Sequence, residues 1–92
     1  MKKVLRLMTK LTKTVVGTSH TADAFYNKGT AKIELQDYTG AIADFTRVIE
    51  INPLDAEAYN KRGDAKGALL DYQGSMQDYI KAKKINPTGA RI

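Results

Sequence analysis

No cysteine occurs in the chain, so it can build neither a disulfide framework nor a thiolate metal site. Histidine occurs once, at His20. A lone imidazole in a polar stretch has no second ligand and no nucleophile to serve, and His20 reads as solvated. No segment reads as a strand, so no glycine-rich phosphate loop can follow one. With no catalytic constellation, no metal set and no cofactor motif, the chain reads as non-enzymatic. No apolar run approaches the roughly 20 residues that span a bilayer. Acidic residues are missing from positions 1–21, which hold Lys2, Lys3, Arg6, Lys10 and Lys13. Residues 22–92 balance ten basic against ten acidic side chains, so the whole net charge of +5 sits in the N-terminal arm. The missing cysteine fits a reducing compartment. A cytoplasmic location is expected, with organelle targeting by the arm as the alternative.

What is present is a repeat. The stretches Gly29-Thr30-Ala31-Lys32, Leu35-Gln36-Asp37-Tyr38-Thr39-Gly40-Ala41 and Ile51-Asn52-Pro53 are each answered later in the chain. Their counterparts are Gly63-Asp64-Ala65-Lys66, Leu69-Leu70-Asp71-Tyr72-Gln73-Gly74-Ser75 and Ile85-Asn86-Pro87. Every matched pair is 34 residues apart, and residues 22–55 laid over 56–89 give 13 identities without a gap. A fixed period of about 20–50 residues marks stacked supersecondary units, each burying its apolar face on a neighbour.

The period and its contents resemble the tetratricopeptide repeat. Aromatic Phe25 and Tyr59, Gly29 and Gly63, Ala31 and Ala65, and Tyr38 and Tyr72 carry the likeness. So do small Ala41 and Ser75, aromatic Phe45 and Tyr79, Val48 and Ala82, and Pro53 and Pro87. Two departures stand out: Lys28 and Arg62 replace the family's usual leucine, and Lys32 and Lys66 its usual tyrosine. The resemblance implies an all-α solenoid of two αα-hairpins, residues 22–55 and 56–89, preceded by an arm and linker over 1–21 and followed by a tail at 90–92. It also implies a protein-interaction scaffold.

Helices are expected at about 22–35 and 38–51, then 56–69 and 72–85. Thr21, Asp37, Asp55 and Asp71 are expected N-caps, and Pro53 and Pro87 expected stops. Gly29 falls mid-helix, where glycine costs about 1 kcal/mol relative to alanine. Close approach of the paired helix, with Ala41 opposite, is the expected compensation. Phe25, Tyr38, Phe45 and Ile49 are expected to fill the core.

Residues 2–16 read as an amphipathic helix with Val4, Leu5, Leu7, Met8, Leu11, Val15 and Val16 on one half of the wheel. Three readings stay open. The helix packs on its own first repeat, lies on a membrane surface or acts as a presequence, or docks into another copy. Leu69, Met76, Tyr79 and Ile80 of the second repeat have no following repeat to cover them. A self-association surface is therefore expected from Val4, Met8, Leu11 and Val15 together with Met76 and Ile80.

In the family that the repeats resemble, the first helix of each unit lines a groove that holds a peptide. The matching positions are Asp23, Tyr26, Asn27, Thr30 and Glu34, then Glu57, Asn60, Lys61 and Asp64. Four acids against one lysine imply a basic or neutral peptide. The two-carboxylate clamp of one sub-class is not carried over, since Tyr26, Thr30 and Lys61 occupy its first positions. The arm has no aromatic residue to stack on bases, so no specific nucleic-acid partner is expected. The expected function is a peptide- or helix-binding scaffold. A self-assembling module and a membrane-surface adaptor are the alternatives.

Overall fold

The structure is a computed structural model that describes residues 21–88. Over those residues it holds four helices and no strand: α1 Ala22–Glu34, α2 Tyr38–Ile51, α3 Ala56–Ala68 and α4 Tyr72–Ile85. The expected helix at 2–16, the expected linker at 17–21 apart from Thr21, and the expected tail at 90–92 lie outside the described residues.

All four helices start where a polar side chain replaces a missing backbone partner. Oδ1 of Asp37 accepts from the Gly40 N–H at 3.0 Å and Oδ1 of Asp71 from the Gly74 N–H at 3.0 Å. Asp55 accepts from the Ala58 N–H at 3.1 Å, and Thr21 Oγ1 from the Ala24 N–H at 3.3 Å. Each cap satisfies one of the free donors of a first helical turn.

α1 and α3 each stop one residue earlier than expected. Leu35 and Leu69 are the C-caps, and the next residues, Gln36 and Leu70, take left-handed backbone angles of φ 62° and 68°. The Gln36 N–H then bonds Ile33 O at 2.9 Å and the Asp37 N–H bonds Lys32 O at 2.7 Å. Leu70 and Asp71 repeat the pattern onto Gly67 O and Lys66 O at 2.9 and 2.8 Å. This paired closure turns the chain through the inter-helix corner without glycine. At the far ends of α2 and α4, the C-caps Asn52 and Asn86 sit at φ −134° and −129°. The prolines that follow favour this extended geometry.

The core gathers Phe25, Ala41, Phe45, Val48, Ala58 and Ala65, with Tyr26, Ile33, Tyr38, Ile42 and Ile49 packed around it. Ala58 and Ala65 are two turns apart on one face of α3, and neither has any exposed surface. Their small side chains let α3 settle closely onto the first repeat. Packing runs in chain order, with α1 on α2, α2 on α3 and α3 on α4.

The close approach at Gly29 is present, but its partner differs from expectation. A Cβ there would stand 2.9 Å from Cε2 and Cζ of the Phe45 ring, which is nearer than any atom of Ala41. The ring reaches back a full turn from its own backbone, whereas the methyl of Ala41 cannot. At Gly63 the corresponding neighbours are the Tyr79 ring at 2.9 Å and the backbone oxygen of Ser75 at 3.1 Å.

Candidate functional site

The polar residues expected to bind peptide lie on α1 and α3 with unequal freedom. Asp23, Asn27 and Glu34 are exposed, as are Asn60 and Asp64, while Tyr26, Thr30, Glu57 and Lys61 are half-buried. Several are engaged within the fold. Tyr26 meets the Phe45 ring edge to face with centroids 5.5 Å apart. The Thr30 hydroxyl donates to the Tyr26 carbonyl at 3.0 Å. Oδ1 of Asp64 accepts from the Tyr79 hydroxyl. That bond, and secondarily burial, pushes the Tyr79 hydroxyl above the ordinary tyrosine range.

An open hollow of about 870 Å³ lies at the second-repeat end of the stack. The α2–α3 turn contributes Asn52, Leu54 and Asp55, and the start of α3 contributes Ala56, Glu57 and Asn60. Met76, Tyr79, Ile80, Ala82, Lys83 and Ile85 of α4 form the opposite wall, with Asn86 beyond it. Glu57 and Asn60 from the expected groove therefore join Met76 and Ile80 from the expected self-association surface. Asp23, Asn27, Thr30 and Glu34 stay on α1. Val4, Met8, Leu11 and Val15 lie outside the described residues.

The floor of the hollow is apolar and open to solvent. Met76 is 60% exposed, Ile80 49% and Tyr79 41%. Their counterparts 34 residues earlier are Ile42, Thr46 and Phe45. None of those is exposed, and Phe45 has no accessible surface at all. The difference is α3, which packs over α2, whereas no described element packs over α4 in that way.

A charged network that the sequence reading did not find lies behind the hollow. Asp78 is 4% exposed and holds Arg62 through two hydrogen bonds, with Lys66 Nζ 3.1 Å from its Oδ2. Arg62 also donates to Thr46 Oγ1 at 3.2 Å, so a single guanidinium ties α2, α3 and α4 together. Burial pushes the Asp78 carboxyl up. The hydrogen bonds and charges of Arg62 and Lys66 outweigh that and hold it below the ordinary carboxylate range. In the first repeat, Lys32 Nζ is 2.9 Å from Asp44 Oδ2, an ion pair whose geometry is not that of a hydrogen bond. Lys28, in the place of Arg62, stands over the Phe25 ring at 5.1 Å, as does Arg47. A signal was available in the sequence. Lysine and aspartate recur 12 residues apart in both repeats, as Lys32 with Asp44 and Lys66 with Asp78.

Among the described residues no group of three or more His, Cys, Asp or Glu stands together to hold a metal, and no helix is long and apolar enough to cross a membrane. Two tetratricopeptide-repeat family models match the chain, one at residues 22–54 and the other at 56–88. The chain belongs to the tetratricopeptide-repeat family. No curated protein matches it. Tetratricopeptide repeats generally mediate protein–protein interaction and are typically non-enzymatic scaffolds. The departures from the tetratricopeptide pattern at Lys32, Arg62 and Lys66 have a physical role here. Each of these cations pairs with a buried aspartate on the second helix of its repeat.

Proposed function

We propose that the chain is a non-enzymatic interaction module whose second-repeat end receives an amphipathic helix from a protein partner. The observation that carries this reading is the exposure of Met76, Tyr79 and Ile80, whose counterparts in the first repeat are covered by α3. An apolar floor with polar Asn52, Glu57, Asn60 and Asn86 around it suits a helix laid into a groove, with anchors at helical spacing. Of the charged residues that line the hollow, Asp55 and Glu57 outnumber Lys83, so the partner's polar side is basic or neutral. These charges are exposed or half-buried, and their preference weakens with salt. The cysteine-free chain fits a cytoplasmic setting.

The test uses a helix-constrained synthetic peptide with the sequence of residues 56–68, which is the helix that fills the equivalent seat in the first repeat. It is titrated into the isotope-labelled full chain and followed by NMR. Shifts concentrated at Met76, Tyr79 and Ile80, and lost in Ile80→Glu, are the expected result. Shifts centred on Asn27 and Glu34, or no binding at about 1 mM peptide, would overturn the reading.

A further inference from the structure

The hollow has a shape that the chain itself can fill. Within the molecule, α3 sits on the first repeat through Ala58 and Ala65, both without exposed surface and both part of the core around Phe45 and Val48. The residues 34 positions earlier are Ala24 and Ala31 on α1. There Ala31 is exposed and Ala24 half-buried. At the other end of the stack, Tyr79 and Met76 occupy the places of Phe45 and Ile42 and are exposed. Both halves of the α2–α3 contact thus occur a second time, separated and uncovered, one at the head of the stack and one at its tail.

We propose that the occupant of the hollow is α1 of a second copy of this chain, seated head to tail so that the helical stack continues across molecules. This rests on the reading that the hollow receives a helix, and it names that helix. Three observations favour α1. It shares Ala22, Ala24, Gly29, Ala31 and Lys32 with α3 at the corresponding positions, so Ala24 and Ala31 stand where Ala58 and Ala65 stand on α3. Of these, Ala31 is exposed and Ala24 half-buried, whereas Gly29 packs on Phe45 within its own repeat. The residue pairing also changes in a compatible way. Inside the molecule Arg62 reaches a hydroxyl, Thr46 Oγ1. Across molecules the equivalent pair is Lys28 and Ile80, where the aliphatic stem of lysine can lie on the isoleucine while its ammonium stays in water.

A head-to-tail contact does not close on itself in a pair, so association gives chains or rings, with no fixed dimer. One three-turn helix on a two-helix seat removes on the order of 400 Å² per copy, about half of what each side of a standard interface buries. Association is therefore weak, with a dissociation constant of about 0.1–1 mM.

The test is sedimentation of the full chain and of two surface variants, Ile80→Glu at the tail and Ala31→Glu at the head. Met76→Lys serves as a second tail variant, and circular dichroism establishes that each remains helical. Ala31 and Ile80 are both exposed, so neither change removes core packing. The expected result is a mass that climbs with concentration for the unaltered chain, monomers for each variant alone, and a one-to-one pair when the head and tail variants are mixed. A chain that stays monomeric at about 1 mM overturns the proposal. If the 56–68 peptide still binds such a chain, the helix-receiving reading survives without it. Association that persists in either single variant overturns it. So does a mixture that stays monomeric, which marks a symmetric contact. Association abolished by Leu11→Glu but not by Ala31→Glu also overturns it, and assigns the seat to the N-terminal arm.

Discussion

Arg62 grips Asp78 with two parallel hydrogen bonds, Nε to Oδ2 at 2.9 Å and Nη2 to Oδ1 at 2.8 Å. The aspartate is nearly inaccessible, and its two cations keep only a small exposed fraction. Removing Asp78 leaves two half-sequestered positive charges without a counterion, whereas removing Arg62 leaves Asp78 still paired with Lys66. Asp78→Ala is therefore expected to cost about 2–3 kcal/mol and Arg62→Leu about 1 kcal/mol. Urea unfolding of both variants checks the order. An Asp78→Ala midpoint at or above that of Arg62→Leu would refute it.

The same carboxylate sets an acid limit. Its folded pKa lies below the ordinary value near 3.8, so the proton binds the unfolded chain more readily than the folded one. The resulting stability is fully present above about pH 4 and is lost as pH falls through the lower folded value. Melting temperatures of the unaltered chain and Asp78→Asn are expected to differ most near neutrality and to converge as the pH falls through that lowered folded value. A gap that stays constant across that range would place the stabilisation elsewhere.

Three helical glycines separate crowding from intrinsic propensity. At Gly29 an added methyl meets the fully buried Phe45 ring, which cannot move aside. Gly29→Ala is expected to destabilise by about 1–2 kcal/mol, overcoming alanine's propensity advantage. At Gly67 the nearest atom is Ser75 Oγ at 3.4 Å, an ordinary contact. Gly67→Ala is expected to stabilise by about 0.5 kcal/mol. Gly63→Ala falls between, because the half-exposed Tyr79 ring can yield but the Ser75 carbonyl cannot. Thermal melts of the three variants give the ranking, and a Gly29→Ala protein more stable than Gly67→Ala would contradict it.

Leu70 is a branched residue held at φ 68° with 69% of its surface in water. It accepts left-handed strain and little packing compensates. Leu70→Gly is expected to raise stability by about 1 kcal/mol. Leu70→Val, with branching at Cβ, is expected to lower it. Denaturant midpoints that move in the opposite order would show that the leucine side chain contributes more than its exposure implies.

The helices were legible because their signals are local. Asp37, Asp55 and Asp71 announce starts, the prolines announce stops, and the 34-residue period carries each assignment into its duplicate. The corner at Gln36 and Leu70 was not legible, since neither residue advertises a positive φ. The ion pairs were hidden for a related reason. A lysine at an aromatic position reads as surface until the fold brings Asp44 or Asp78 across from the next helix. The partner of Gly29 was misread because backbone proximity pointed to Ala41 while the reach of a phenyl ring decided the contact. At the candidate site, the exposed Met76 and Ile80 could be anticipated by counting repeats. The contribution of Asn52, Leu54 and Asp55 could not, because it depends on where the α2–α3 turn falls beside α4.

Packing in strict chain order also governs how the molecule forms. Among the described residues, the principal contacts join helices one or two places apart, so forming them closes no long loop. Helical proteins with such short-range contact maps reach the native state in microseconds to milliseconds. α4 is tied down chiefly by α3, while α3 is gripped from both sides. Like α1, which is held chiefly by α2, α4 opens before the inner pair, and the amides of these two outer helices should exchange with solvent ahead of those in α2 and α3.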